Sequence, residues 1–158
     1  AQLDRFMFKL NVTFPKLDEL AAIVEQTTGE KSARASKVTD GNTLIALSQF
    51  ARQVPAASHV TRFAAALVSA THPDGDGATD MVKKYVRYGA SPRGAQALLL
   101  GGRVLALLNG RFNVAIEDLK ALAPAALRHR ILLNFEGQAE GIQPDDVIAD
   151  VVNKIKVS

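Results

Sequence analysis

The sequence predicts an all-α domain preceded by one strand. Apolar side chains recur at i, i+3, i+4 and i+7 through successive segments after residue 16. Prolines and glycines fall where those segments should stop. Period-two alternation is convincing only over residues 6–14, where Phe6, Phe8, Leu10, Val12 and Phe14 alternate with Met7, Lys9, Asn11 and Thr13.

That first segment reads as a strand with one buried face, ended by Pro15. A lone strand cannot satisfy its backbone ladder, so its partners are expected in sheet outside this sequence, and a domain boundary is expected between residues 14 and 16. The first helix is expected over 16–26, with Leu17, Leu20, Ala21, Ile23 and Val24 on one face, stopped by Thr27-Thr28-Gly29. Residues 30–39 are polar and read as an exposed loop. Helices follow over 42–53 and from about Val60 to near Thr71, separated by Pro55.

The run His72-Pro73-Asp74-Gly75-Asp76-Gly77 reads as a turn. Asp74 and Asp76 imitate the opening of a calcium loop, but Ala78 holds the next ligand position and no Glu closes the frame. Residues 81–88 form a short amphipathic segment. Ser91 then caps the longest helix, 91–108, with Pro92 at its first position and Asn109-Gly110 at its end. This helix is almost wholly apolar and should be the core, with Gly101 and Gly102 accepting close neighbours despite a helix cost of ~1 kcal/mol each. Three more helical segments are expected over 116–122, 125–135 and 144–155, divided by Pro124 and by residues 137–143.

Composition narrows the function classes. The 158 residues carry 19 Lys+Arg against 16 Asp+Glu, a net +3 with no basic run of the kind that marks a nucleic-acid tail. No apolar stretch reaches the ~18 residues of a membrane span. Without cysteine there is no disulfide, thiolate nucleophile or thiolate-bound metal, which fits the cytoplasm. The chain opens on Ala1 with no leader, and is expected to be a piece of a longer protein.

Chemical motifs are mostly absent. Gly89 and Gly94 have the spacing of a phosphate loop, but Ala95-Gln96 stands where Lys and a hydroxyl residue are required. Arg93 breaks a nucleophile elbow, and His59, His72 and His129 lack metal spacing. Two arginines invite a function. Arg93 lies in the first turn of the apolar helix, where the helix dipole disfavours a cation. Two outcomes stand: an anion such as phosphate at the free amides, or a guanidinium turned to solvent or paired with Asp80. Arg5, beside Asp4, reads as a surface pair on its own.

Those two arginines lie in motifs through which the chain resembles the C-terminal part of MoxR-family AAA+ ATPases. Ala1-Gln2-Leu3-Asp4-Arg5-Phe6 is similar to the end of that family's αβ nucleotide-binding domain. Val86-Arg87-Tyr88-Gly89-Ala90-Ser91-Pro92-Arg93-Gly94-Ala95 is similar to its sensor-2 motif. Ala106-Leu107-Leu108-Asn109-Gly110-Arg111, the stretch from Ile116 to Pro124, and Leu127-Arg128-His129-Arg130-Ile131 follow in family order. The resemblance implies a strand remnant of the αβ domain over 1–15 and a helical-bundle AAA+ lid domain over 16–158. It implies Arg93 as the sensor-2 arginine, Ser91 and Gly94 beside it at the nucleotide, and Arg5 as an arginine finger acting in trans.

By the same resemblance the full-length protein would be a chaperone-like ATPase using ATP and Mg²⁺. It would form a homo-oligomeric, hexameric ring and act on von Willebrand factor A-type or metalloenzyme clients, without nucleic acid. The chain alone would not hydrolyse ATP, because it lacks the P-loop and the acidic Mg²⁺-binding motif. Two features depart from the family: Val114-Ala115 stands where a Ser or Thr cap is usual, and the loop over 71–86 differs in length. The alternatives are a helical nucleic-acid-binding module, suggested by a pI of about 9.3 and by Arg128-His129-Arg130, or a stand-alone helical interaction domain.

Overall fold

The computed structural model describes residues 2–29 and 35–155. A 3-10 turn, Leu3–Arg5, opens the chain, and the helices α1 (Leu17–Thr28), α2 (Gly41–Gln53) and α3 (Ser58–Ser69) follow. Next come α4 (Asp80–Tyr85), β1 (Val86–Tyr88), α5 (Pro92–Leu108), α6 (Ile116–Leu127), β2 (Leu132–Leu133), α7 (Phe135–Ala139) and α8 (Pro144–Lys154). The domain is a helical bundle, as its periodicity predicts. The loop expected over 30–39 lies partly outside the described residues, at 30–34.

The core lies where α5 packs against α3 and α6, and α6 against α8. Phe63, Leu67, Leu98, Leu119, Leu127, Val147 and Ile148 are buried there. Gly102 makes the α5–α6 approach possible, since a Cβ on it would lie 2.9 Å from Val114 Cγ1 and 3.0 Å from Leu119 Cδ2. A Cβ on Gly101 would meet Phe8 Cζ at 2.7 Å and Leu122 Cδ1 of α6 at 3.0 Å. Both glycines therefore accept the close neighbours expected of them. α1 and α2 contribute no buried residue, and α2 lies along α5.

Three expectations are corrected. Residues 6–14 form no strand. The alternation specifies an amphipathic extended chain, and only a partner ladder would turn it into sheet. Here the segment lies across the bundle, with Lys9 N donating to Ala125 O at 2.9 Å and Phe8 against Gly101, while Leu10, Val12 and Phe14 stay exposed. Strand structure occurs instead as a short antiparallel pair in which β1 meets β2 with Val86 opposite Leu133, so the segment read as amphipathic over 81–88 divides into α4 and β1.

Pro124 does not divide a helix pair: α6 runs through it, and the helix expected over 125–135 resolves into the end of α6, β2 and the start of α7. Burial of Ala123, Ala126 and Leu127 holds the helix across the proline. The carbonyl deprived of its donor belongs to exposed Lys120, where water can serve it. The start of α6, which lacks a Ser or Thr cap, is closed by Asp118, whose carboxylate accepts from Ala115 N at 2.9 Å and from Arg111 Nη1 at 2.9 Å.

Candidate functional site

The start of α5 is fixed from three sides. Ser91 caps it, its Oγ accepting from Arg93 N at 3.2 Å. Behind the cap, Thr71 Oγ1 accepts from Ala90 N at 2.9 Å, and His72 Nε2 lies 2.9 Å from Ala90 O, tying the connection to the end of α3. Gly89 leaves room for this contact, since a Cβ there would lie 2.7 Å from the His72 ring. Gly94 is buried, with its α-carbon turned to Leu127 and Val68, so its smallness serves the packing of α5 on α6 and α3.

Arg93 projects from the first turn with its side chain 54% exposed, and its Nη1 donates to Asp4 Oδ2 at 2.9 Å. Of the alternatives left open by the sequence, neither solvent alone nor Asp80 is the partner. The same Asp4 carboxylate lies 2.8 and 2.9 Å from Ser91 Oγ and accepts from Arg130 Nε at 3.1 Å. An anion therefore does sit at this helix start, and it answers the unfavourable placement of Arg93 against the dipole. Partial burial pushes the Asp4 pKa up, but hydrogen bonds from Arg93 and Ser91 and the charges of Arg130 and Arg93 outweigh it and leave the carboxyl below its ordinary range.

Arg130 was not singled out by sequence as a site residue. Its side chain is 2% exposed, and besides Asp4 Oδ1 it serves the carbonyls of Asp4 (2.9 Å), Phe6 (2.7 Å), Met7 (3.2 Å) and Ala126. A signal existed: Ala123, Ala126, Leu127 and Arg130 fall at i, i+3, i+4 and i+7, which puts a guanidinium on the buried face and demands an anion nearby. His129 Nε2 lies 2.9 Å from Phe6 O, and Arg128 pairs with Asp145 at 3.0 Å. The basic triplet that suggested nucleic acid is thus occupied by contacts within the domain.

Arg5, at the end of the 3-10 turn, is exposed, and none of the ion pairs among the described residues uses it. The structure therefore presents Arg5 to solvent on a turn whose backbone is clamped by Arg130. Arg5 and Arg93 are joined through Asp4.

The AAA lid domain family matches residues 78–151, a span that contains Ser91, Arg93, Gly94 and Arg130. Chaperone MoxR1 of Mycobacterium tuberculosis is 33% identical over 156 residues, covering 98% of this chain and 41% of that protein. These matches support a MoxR-type AAA+ lid fragment. Protein MoxR of Methylorubrum extorquens is 39% identical over 64 residues, 39% of this chain and 19% of that protein. A crystal structure of a candidate ATPase from Cytophaga hutchinsonii superimposes with a TM-score of 0.90 at 27% identity, covering 99% of this chain and 48% of that one. The chain spans less than half the length of these relatives. Asp4 and Arg5 lie outside the lid match but within the length aligned to MoxR1, which takes in nearly the whole chain.

Among the described residues no helix is long and apolar enough to cross a membrane.

Proposed function

We propose that this lid serves an ATPase in which Arg93 acts as the sensor-2 arginine on the terminal phosphates of ATP, and Arg5 as a finger reaching the nucleotide of a neighbouring subunit. The observation that carries the reading is the state of Arg93: half-exposed, at the mouth of a rigidly capped helix, and held by one carboxylate. A phosphate oxygen can accept the same charge-assisted hydrogen bond from the guanidinium that Asp4 now accepts. Ser91 fixes the helix start from which Arg93 projects, and Gly94 lets that start pack closely.

Catalysis by such arginines is electrostatic: a guanidinium placed beforehand stabilises charge that grows on the transferring phosphoryl group. Mg²⁺ would neutralise phosphate charge in the full-length enzyme. Among the described residues no group of His, Asp and Glu is arranged to hold a metal ion, so no metal step is assigned to this chain. The wider reading is a cytoplasmic chaperone-like ATPase, assembled as a homo-oligomeric, hexameric ring, that remodels von Willebrand factor A-type or metalloenzyme clients. Its support is similarity to a protein named as a chaperone.

The test is ATP turnover by the full-length protein. Arg93→Ala should lower turnover by roughly ten- to a thousand-fold, the range for loss of one transition-state donor, with the fold intact. Arg5→Ala should be inactive alone, yet regain activity when mixed with subunits disabled in their own phosphate loop but carrying Arg5. Normal turnover per folded Arg93→Ala subunit would overturn the assignment.

A further inference from the structure

We propose that Asp4 is a positioning residue that links Arg93 to the turn carrying Arg5, so that the grip on one nucleotide and the placement of the arginine offered to the next change together. The inference rests on the reading of Arg93 and Arg5 given above. Its basis is a single carboxylate with donors from two directions. Ser91 and Arg93 approach from the start of α5, and Arg130 approaches from the end of α6.

The two sides are unequal. The Arg130 side chain is buried and also grips the carbonyls of Asp4, Phe6 and Met7, the backbone on both sides of Arg5. The Arg93 side is half-exposed and monodentate, through Nη1 alone. When Arg93 turns to a phosphate, the Asp4 carboxylate loses one of its donors while Arg130 and Ser91 remain. Asp4 therefore competes with the nucleotide for Arg93, and the turn bearing Arg5 is held most firmly when Arg93 is not engaged elsewhere. Neither effect requires Asp4 to touch the nucleotide.

The experiment compares full-length wild type with Asp4→Asn, Arg93→Ala, Arg5→Ala and the double variant Asp4→Asn/Arg93→Ala. It reads the Kd of a non-hydrolysable ATP analogue, kcat for ATP, and the thermal midpoint. Asp4→Asn should bind the analogue about two- to fivefold more tightly, the scale of releasing one half-exposed ion pair. Its kcat should fall about tenfold as the turn carrying Arg5 loses its carboxylate tie to α5 and is held only through the Arg130 bonds to its carbonyls. A residue needed only for folding would not tighten binding. The gain in affinity should vanish in the double variant, because it acts through Arg93.

Unchanged Kd and kcat in folded Asp4→Asn, or tightening that persists without Arg93, would overturn the proposal. If Asp4→Asn does not fold, Asp4→Glu takes its place: it keeps the charge and displaces the carboxylate, so kcat should still fall, and a wild-type kcat overturns the link. Wild-type turnover in Arg93→Ala and Arg5→Ala would defeat the functional reading itself. Loss of turnover in those two, with wild-type behaviour in Asp4→Asn, would defeat this inference alone.

Discussion

Replacing Arg130 by methionine removes the bolt between the first residues of the chain and the bundle. The side chain is 2% exposed and bonds Asp4, Phe6, Met7 and Ala126. Breaking a buried ion pair from one side costs about 3–5 kcal/mol when the other charge is left stranded. Asp4 is not stranded, because its side chain is 20% exposed and keeps Ser91 and Arg93. Methionine also refills much of the volume, so the expected loss is about 2–3 kcal/mol.

If residues 2–9 detach while the bundle stays folded, that figure has a ceiling. The loss in global stability cannot exceed the free energy with which that segment docks. Urea denaturation followed by circular dichroism measures the global part, and limited trypsin digestion at Arg5 and Lys9 measures detachment. Arg130→Met should lower the midpoint and accelerate cleavage at both sites. A variant with unchanged midpoint and unchanged cleavage would refute the role given to Arg130.

Gly102→Ala should destabilise by about 1 kcal/mol, since overpacking of about 1–3 kcal/mol against buried Val114 and Leu119 exceeds a helix-propensity gain of roughly 1 kcal/mol. Gly101→Ala should be near neutral in the same urea assay, because the side chains it would meet, Phe8 and Leu122, are both only partly buried and can shift. His129 should make stability fall with acid. Burial and the charge of Arg130 lower its pKa, against the raising effect of its bond to Phe6 O, and Nδ1 is buried without a partner. The folded value lies below the unfolded one, so the full contribution is present above about pH 6.5 and is lost as pH falls through the folded value. Midpoints at pH 7.5 and 5.5 should differ in wild type and converge in His129→Gln; equal slopes would refute this.

The sequence was most legible where structure is local. Ser91 and Pro92 announce the start of α5, and Asn109-Gly110 its end, because capping needs only neighbours in the chain. The paired glycines of α5 likewise signalled a close approach. Their two different partners, Phe8 and Val114, were not legible, because they arrive from distant parts of the chain. The segment over 6–14 failed for the same reason: alternation specifies an extended amphipathic chain, while the surface that receives it is tertiary. Arg93 was marked by its conflict with the helix dipole, yet the anion that resolves the conflict, Asp4, lies 89 positions away. Pro124 was read by its usual effect on helices, which buried neighbours here override.

The central assignment is that Arg93 stabilises charge on a transferring phosphoryl group, and binding of a transition-state mimic tests it most directly. Full-length wild type and Arg93→Ala should be compared for affinity toward ADP and toward ADP with aluminium fluoride. Arg93→Ala should bind ADP within about threefold of wild type and lose roughly ten- to a thousand-fold toward the mimic, because the contact strengthens as the phosphoryl group transfers. Equal affinity of the two proteins for the mimic, with both folded, would contradict the account.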